Sequence, residues 1–469
     1  MRGLVENMEK KIDSKKASLF YLMGTLFNKG IGFITVPIFT RILTVEDYGI
    51  VTTYNSWISI LMVFMSLALY MSVRLSFVDY KETTSDFLST ILLFTIIYGS
   101  IFAFIAYVVV LSLPMGIKSY IVVLCILQSI GSALIEDISQ FLMMKYRYRF
   151  RTLIMILPNL ISTILAIYII KYMLSTEMYL GKIVPTALIT FLFGLGLTFY
   201  FLPKGKITLN KEYITFGLKI SLPLVLHGIA LNILSQSDRT MITLIRNSTE
   251  TGIYGLIYNF SMIATVITTA FEGIWVPFFI KKMNMKRYTD IDEMVTKYIE
   301  LMTVAMIGIT LVGPEVIKLL ATKPYFEGIM IIPPIVLSNF LIFIYSLYVN
   351  IEHYYKKTIF ISVNTIIAAI SNIVMNYFFI FWWGYVGAAY STLFSYGISL
   401  VVHYIYATRL NDEVIPLEKI ALPMAILVGI VVIFYIFNSL WFVRWFIALG
   451  CVVFLVIKEK DFFISLIGM

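Results

Sequence analysis

Four cationic side chains lie inside or beside long apolar stretches of this 469-residue sequence: Lys29, Arg74, Lys219 and Arg239. A charged side chain in hydrocarbon is costly, so it faces a water-filled cavity or a partner. Because lysine and arginine both bind phosphate, each of these side chains could bind an anionic substrate. Two alternatives stay open. Lys29 could pair with a carboxylate inside the membrane, and the arginines could anchor helices at its surface.

Polar side chains are dense in the stretch 213–246, which is otherwise apolar enough to cross a membrane. On a helix with 100° per residue, Lys219, His227 and Asp238 fall within an arc of about 100°. Asn232 and Arg239 lie on a neighbouring arc. Since lipid does not solvate so many polar groups, we predict that this helix lines a polar cavity, in which His227 could carry a proton.

Further polar side chains form stripes on several apolar stretches, each with hydroxyl or amide groups one or two helical turns away. The residues that represent them are Asn28, Glu272, Asn339 and Asn372. Amides and hydroxyls both donate and accept hydrogen bonds, so such stripes suit sugar hydroxyls. The alternative is hydrogen bonding between helices, which contributes about 0.6–2 kcal/mol per contact.

Two adjacent acids, Glu136 and Asp137, occur with Gln140 in the fourth apolar stretch. They could bind a coupling cation, or they could be partners of nearby lysine and arginine side chains. The sequence leaves both interpretations open.

The composition sets the class of protein that holds these residues. Sixty per cent of the residues are hydrophobic and 13% are charged, and the mean hydropathy is +0.90. These values predict an all-α polytopic membrane protein. Taking apolar runs of about 20 residues as spans, we predict fourteen: 18–40, 48–73, 87–113, 120–144, 152–172, 183–202, 213–235, 252–280, 294–312, 328–350, 358–381, 385–408, 415–437 and 441–457.

The distribution of basic residues predicts the orientation. Of the 36 lysines and arginines, 25 fall at the two termini and in the alternate loops on one side, and nine fall on the other side. The positive-inside rule therefore places both termini in the cytoplasm. The predicted outer loops are too short to build an enzyme site, so we do not expect an enzyme. The sequence suggests no cofactor or metal site either.

A faint internal repeat predicts the domain organisation. Gly49-Ile50 is followed by Tyr54-Asn55, and Gly252-Ile253 is followed by Tyr258-Asn259 with nearly the same spacing. Chance similarity is the alternative. We predict a cytoplasmic segment (1–17), a six-helix bundle (18–202), a cytoplasmic linker (203–213), a second six-helix bundle (214–408), and two extra helices with a cytoplasmic tail (409–469). Parallel repeats of this kind place a transport site between the halves.

Several segments resemble the bacterial O-antigen and capsular polysaccharide flippase family, part of the multidrug/oligosaccharidyl-lipid/polysaccharide exporter superfamily. They are LFYLMGTLFNKG at 19–30, PIFTRILTVEDYG at 37–49, SDR at 237–239 and TGIYG at 251–255. The resemblance covers essentially the whole chain. It implies two six-helix bundles in a V shape and two further helices that line a groove for a lipid tail.

The resemblance also implies a function. The expected activity is the transfer of an undecaprenyl-diphosphate-linked oligosaccharide to the outer leaflet of the bacterial cytoplasmic membrane by alternating access. Lys29 and Arg74 would then meet the diphosphate, and Lys219 and Arg239 would complete the cation set. In the empty cavity, Glu272 or Asp238 would balance the charge.

The expected partners are the lipid-linked oligosaccharide, membrane phospholipids and possible other polysaccharide assembly proteins, without nucleic acid. The alternative function is a cation-coupled multidrug antiporter of the same superfamily. Such a carrier should prefer acids deep in the cavity and usually needs only twelve spans, whereas this sequence places lysines there and predicts fourteen.

Overall fold

The computed structural model describes residues 33–112, 118–411 and 414–459, and every regular element in these ranges is helical. In chain order the α-helices are α1 Phe33–Ile42, α2 Val45–Ser66, α3 Leu69–Asp79, α4 Thr84–Ser112, α5 Ser119–Met144, α6 Tyr148–Tyr172, α7 Tyr179–Phe201, α8 Lys211–Ile245, α9 Ser248–Ser261, α10 Ile263–Asn284, α11 Tyr288–Leu320, α12 Ile332–Tyr354, α13 Thr358–Leu410, α14 Glu418–Ile436 and α15 Trp441–Lys458. The prediction of an all-α polytopic membrane protein is confirmed.

Twelve helical stretches in the described ranges are long and apolar enough to cross a membrane. One of them, α13, is a hairpin and supplies two crossings. The first predicted span, 18–40, lies mostly outside the described residues, and α1 is its described end. The total of fourteen spans therefore stays a prediction.

Helix α13 reverses direction at Gly384, as the predicted break at residues 382–384 required. Its φ of 58° and ψ of −143° are not helical. The two arms pack antiparallel, since Asn364 donates to the carbonyl of Ser399 at 3.2 Å. Glycine is needed here because its φ is positive and because a Cβ atom would lie 2.3 Å from Glu250 Oε2.

The second predicted span, 48–73, lies within one apolar helical stretch, Val45–Asp79, whose backbone breaks between α2 and α3. Leu67 and Ala68 both have positive φ values, 44° and 52°. This conformation is strained for residues other than glycine, at about 1–3 kcal/mol each. Ser221 of α8 donates to the carbonyl of Ala68 at 3.0 Å and so stabilises the break. No proline or glycine marks this position in the sequence.

The described chain divides into two compact units. The first contains the residues up to Asp47 and the range Thr53–Asn232, and the second contains Tyr48–Thr52 and the residues from Ile233 onward. Helix α8 therefore begins in the first unit and ends in the second. The sequence-based division at the linker 203–213 follows the order of the spans and stays a prediction.

Inside the first unit, α5 and α7 cross with their backbones in contact. A Cβ atom on Gly194 would lie 2.6 Å from the carbonyl oxygen of Gly131, and one on Gly131 would lie 2.6 Å from the backbone of Phe191. Small residues allow this close approach, which is a common way to pack membrane helices. The contact fixes α5, the helix that carries the two adjacent acids.

Inside the second unit, charged contacts attach the last helix, α15, to α11. Arg444 of α15 is fully buried and donates to the carbonyl of Leu311 at 2.6 Å and to Glu315 at 2.5 Å. Lys458 of α15 pairs with Glu300 at 2.6 Å. These contacts belong to one of the two helices that the resemblance describes as extra.

Each unit contains the same contact between an acid at a helix start and a later helix. In the first unit, Asp47 accepts a hydrogen bond from the backbone N–H of Tyr179 at 3.2 Å. In the second unit, Glu250 accepts one from the backbone N–H of Tyr385 at 3.0 Å. Both tyrosines begin a Tyr-x-Gly sequence, and both acids stand two residues before a glycine. We call these contacts the two clasps.

Candidate functional site

Arg74 is held in the first unit by a chain of polar side chains on α5. Its Nε atom donates to Gln140 Oε1 at 2.8 Å. Gln140 in turn donates from Nε2 to Glu136 Oε1. The guanidinium is only half-buried, and the Nη1 atom makes a weak contact of 3.8 Å with Met71 Sδ. The outer edge of the Arg74 guanidinium can therefore donate hydrogen bonds to a further anionic group.

Asp137 follows Glu136 on α5 but is fully buried. Thr95 of α4 donates to its Oδ2 atom across 3.3 Å, and Oδ1 has no hydrogen-bond partner among the described residues. The described ion pairs do not include Asp137. The sequence left two interpretations of these acids open, a site for a coupling cation and pairing with basic side chains. In the structure, Glu136 is connected to the basic side chain of Arg74 through Gln140, whereas Asp137 has no basic partner among the described ion pairs.

Lys219 and His227 lie on the N-terminal part of α8. Lys219 is exposed and His227 is half-buried. Gly217 packs against α3, since a Cβ atom there would lie 3.3 Å from Ser72 Oγ. Lys219 follows two residues later, about 200° round the helix, and so points away from α3. The structure therefore does not bring Lys219 together with Arg74 on one face.

Asp238 and Arg239 form a buried charge pair within the second unit, with 0% and 3% of their surfaces exposed. Arg239 Nη1 lies 3.6 Å from Asp238 Oδ1 and donates to the carbonyl of Ser235 at 2.6 Å. Tyr254 donates its hydroxyl hydrogen to Asp238 Oδ2. The guanidinium lies 4.2 Å from the ring centre of Tyr258. The pair is thus nearly neutral as a whole and well supported.

Asn372 belongs to a network of buried polar groups that connects α8 with both arms of α13. Its Oδ1 atom accepts hydrogen bonds from Ser237 at 3.1 Å and from Asn376 at 3.0 Å. Ser391, on the second arm, donates to Asn376 Oδ1. These contacts are the helix-to-helix alternative foreseen for the polar stripes, and Asn372 Nδ2 has no partner among the described residues.

The other two predicted polar residues of the second unit have different surroundings. Glu272 on α10 is half-buried and lies beside Ser346 and Tyr345 of α12. Asn339 is buried and donates to the carbonyl of Ile335, one turn back in its own helix, at 2.9 Å. The structure therefore does not group Glu272, Asn339 and Asn372 at a single point.

Two predicted residues, Asn28 and Lys29, lie outside the described residues.

The sequence analysis did not predict which side chains contact the buried charged groups. The rings of Tyr254 and Tyr258 around the buried pair have no signal beyond helical spacing. His403, a residue without a predicted role, is buried with Nδ1 2.9 Å from Glu352 Oε1. This contact joins helices that are distant in sequence, so periodicity could not reveal it.

A basic cluster marks the end of the first unit that the positive-inside rule places in the cytoplasm. Partial burial, and next the charges of Arg147 and Lys204, lower the pKa of Lys145. Lys204 lies 3.3 Å from the ring centre of Tyr200. Cations over aromatic rings at a membrane surface attract anionic headgroups. Arg74 stands near the same predicted end, at the last turns of α3.

Comparison with known proteins places the chain in a family. Residues 14–283, more than half of the chain, match the family described as polysaccharide biosynthesis protein. An Lsg locus protein of Haemophilus influenzae is 23% identical over 284 residues, which are 58% of this chain and 67% of that protein.

Solved structures show the fold. The chain is similar to the lipid II flippase MurJ in an inward closed conformation, with a TM-score of 0.69 and 13% identity over 95% of this chain and 99% of that one. It is also similar to an inward-facing multidrug resistance MATE family transporter of the MOP superfamily, with a TM-score of 0.62 and 16% identity over 83% and 95% of the two chains. At these identities, the likeness concerns the fold alone.

Proposed function

Because the chain belongs to the polysaccharide biosynthesis protein family and has the fold of MOP-superfamily flippases and transporters, we propose that it moves a lipid-linked oligosaccharide across a membrane. The proposed substrate is an undecaprenyl-diphosphate-linked repeat unit, carried from the cytoplasmic to the outer leaflet by alternating access. The observation that carries this proposal is the family match over residues 14–283. The product would supply a surface polysaccharide such as O-antigen or capsule.

Arg74 is the proposed first contact of the diphosphate. Its Nε atom is fixed by Gln140, while the outer edge of the guanidinium remains accessible. A planar guanidinium binds two phosphate oxygens at once, which suits a diphosphate better than a neutral sugar. Lys29 and the exposed Lys219 stay proposed members of the cationic site, although Lys219 does not share a face with Arg74 in this conformation.

The buried pair has a different proposed role. Arg239 is enclosed by Asp238, the Ser235 carbonyl and the Tyr258 ring, so it is not available to a substrate in this conformation. We propose that Asp238 balances Arg239 while the cavity is empty, and that Glu272 is the alternative charge-balancing acid. Asn372, with its free amide hydrogens, is the proposed hydrogen-bond donor to sugar hydroxyls.

The proposed location is the bacterial cytoplasmic membrane, with both termini in the cytoplasm. The basic cluster of Lys145, Arg147 and Lys204 supports this orientation, because cytoplasmic loops carry the excess of basic residues. Other polysaccharide assembly proteins are proposed partners.

A multidrug antiporter is the second candidate, and its support is the similarity to the MATE transporter fold. That similarity covers 95% of the MATE chain but only 83% of this one, whereas the flippase similarity covers 95% of this chain. Arg74 would also repel the cationic drugs that such antiporters carry. The flippase is therefore the better proposal.

The test is the fate of lipid-linked saccharide in cells that lack this protein. We expect repeat units to accumulate and to be inaccessible to a membrane-impermeant sugar-modifying probe. Normal surface polysaccharide together with altered dye efflux would instead support the antiporter. If neutralisation of Lys29, Arg74 and Lys219 one at a time left export at the wild-type level, the proposed cationic site would be wrong.

A matched control is available within the first unit. Arg74→Ala should fail to restore export, and Arg74→Lys should restore it in part, because lysine keeps the charge but loses the planar fork. Lys171→Ala should restore it fully. Lys171 is an exposed cation in the last turn of α6, where its contact is with the ring of Tyr172 at 5.2 Å.

A further inference from the structure

Among the described residues, the carboxyl group of Asp137 is fully buried without a cation or histidine in contact, unlike those of Asp238 and Glu352. Its described hydrogen bond is the one from Thr95 at 3.3 Å, and its Oδ1 atom has no hydrogen-bond partner among the described residues. An anion is poorly solvated in such surroundings, whereas the neutral acid needs fewer hydrogen bonds. The site is therefore built for a carboxyl group that can take up a proton.

The neighbouring acid is connected to Arg74 through an amide of fixed orientation. The Gln140 side chain donates to Glu136 from Nε2, so its Oε1 atom is left to accept from Arg74 Nε at 2.8 Å. Since arginine can only donate, a reversed amide would place donors against donors. The ionised form of Glu136 thus keeps Gln140 turned toward Arg74.

We infer that Glu136 and Asp137 form a proton-binding site, and that proton uptake there releases Arg74 to bind a diphosphate; this rests on the proposed function. In the step, one O–H bond of a hydronium ion breaks, one O–H bond forms with a carboxylate oxygen of the pair, and a water molecule is left. A proton on Glu136 removes the anionic acceptor of the Gln140 amide, and a proton on Asp137 removes a negative charge from the same pair, so that Arg74 loses counter-charge in either case. By linkage, diphosphate binding and proton uptake each strengthen the other.

The groups that face this pair can be named for each neighbouring helix. From α3 come Arg74 and Tyr70, whose hydroxyl lies near both acids. From α4 comes the uncharged Thr95, and from α6 comes Arg151, which donates to Ser139 of α5 at 3.0 Å. The one charged residue of α7, Lys182, lies 4.2 Å from the ring centre of Phe39, away from the acids.

Infrared spectroscopy of the purified full chain, without any ligand, tests the proton site directly. We expect a protonated-carboxyl band that titrates with pH in the wild type and is lost in Asp137→Asn. Glu136→Gln should change the same titration, because interacting acids titrate as a pair. Glu300→Gln, which neutralises an acid paired with Lys458, should leave it unchanged. Identical spectra in Asp137→Asn, Glu136→Gln and the wild type would overturn the inference.

The coupling to Arg74 has its own test in the same titration. Arg74→Gln removes the nearby positive charge, so protons should bind the pair more tightly. We expect the pH of half-protonation to rise by about one unit, or ~10-fold in proton affinity, which is the usual size for a neighbouring charge. Lys171→Gln removes a charge elsewhere in the first unit and should cause no shift. An unchanged midpoint in Arg74→Gln would contradict the coupling.

A measurement of flipping separates this inference from the proposed function. Flipping by the wild type that shows no titrating carboxyl at Asp137 would overturn the proton site and leave the proposed function intact. Flipping whose pH dependence disappears in Asp137→Asn, while surface polysaccharide is still made, would support both.

Discussion

The two units use the same clasp but bury their acids in opposite ways. Asp47 and Glu250 hold Tyr179 and Tyr385 with nearly equal geometry, at 3.2 and 3.0 Å. Asp238, a buried acid of the second unit, has an arginine neighbour and two hydroxyl donors. Asp137, a buried acid of the first unit, has one hydroxyl donor, Thr95, at 3.3 Å. Burial alone therefore does not set the role of an acid; its partners do.

The difference between the partners of Asp238 and those of Asp137 indicates which of the two acids can change its charge. A buried charge with its partners in place is stable but costly to disturb, because removal of one partner leaves the other charge uncompensated. A buried carboxylate without a cationic partner takes up a proton at a small cost in free energy, because no partner charge is left uncompensated. We therefore expect the pair at Asp238 to keep its charges while Asp137 changes its charge.

Asp238→Ala should have the largest effect, because it leaves the Arg239 guanidinium buried without its acid. We expect a loss of about 3–5 kcal/mol in the free energy of unfolding. Thermal unfolding of the purified protein in detergent measures this loss. The double variant Asp238→Asn with Arg239→Gln should recover much of it. If Asp238→Ala were as stable as the wild type, the Asp238–Arg239 pair would not stabilise the folded protein.

Tyr254→Phe should come next, because it removes the hydroxyl group that donates to Asp238. Hydrogen bonds to charged groups contribute about 1.5–3 kcal/mol, so a loss of this size is expected in thermal unfolding. Tyr377→Phe, at an exposed tyrosine of α13, is the matched control, and it should cost less than half as much. Equal losses in the two variants would contradict the distinct roles of the two tyrosines.

Asp137→Asn should change stability by less than about 1 kcal/mol, since no cation loses a partner and Thr95 can still donate to the amide oxygen. The same variant should lose the pH dependence of flipping. Parallel measurements of unfolding and of export at several pH values provide the check. A loss of stability as large as that of Asp238→Ala would erase the contrast between the two acids.

Glu177→Gln should have the smallest effect on stability. Glu177 has a cationic partner, Lys118, but is not buried, so this variant tests the contribution of a partner in the absence of burial. The Lys118 ammonium, and next the Tyr179 hydroxyl, lower the pKa of Glu177. Its stabilising contribution is therefore present above the ordinary glutamate pKa and is lost as the pH falls through the lowered value. Both side chains are about half exposed, so the contribution is small.

The measurement is the unfolding temperature of the wild type and of Glu177→Gln across pH. The two proteins should differ slightly at neutral pH and converge in acid. A difference that grows as the pH falls would have the wrong sign for this pair.

The sequence predicts most of the helices, but it predicts only some of the breaks within them. Apolar length and the placement of basic residues depend on local composition, so most spans could be read directly. The turn at Gly384 was predictable because tryptophans and a glycine interrupt an apolar run. The break at Leu67 and Ala68 was not, since it depends on Ser221, a residue of another helix.

The candidate residues could be predicted more readily than their partners. Periodicity singled out Arg74, Asp238 and Arg239 as polar groups in apolar helices. It could not show that Arg239 is enclosed while Arg74 keeps an accessible edge, because enclosure depends on tertiary packing. Glu136 and Asp137 are adjacent in sequence, yet only the fold shows that one is connected to an arginine and the other is isolated.

The hairpin of α13 bears on how the chain enters the membrane during synthesis. From Thr358 to Thr408 there is no acidic residue, lysine or arginine, so the fixed charges that orient this hairpin lie at its two ends, where Lys357 precedes it and Arg409 follows it. Trp382 and Trp383 are 60% and 57% exposed beside Gly384, and tryptophan favours the membrane interface. The two arms should therefore insert together as one unit. The orientation of the later helices then depends on this turn, because it returns the chain to the side of the membrane from which the hairpin entered.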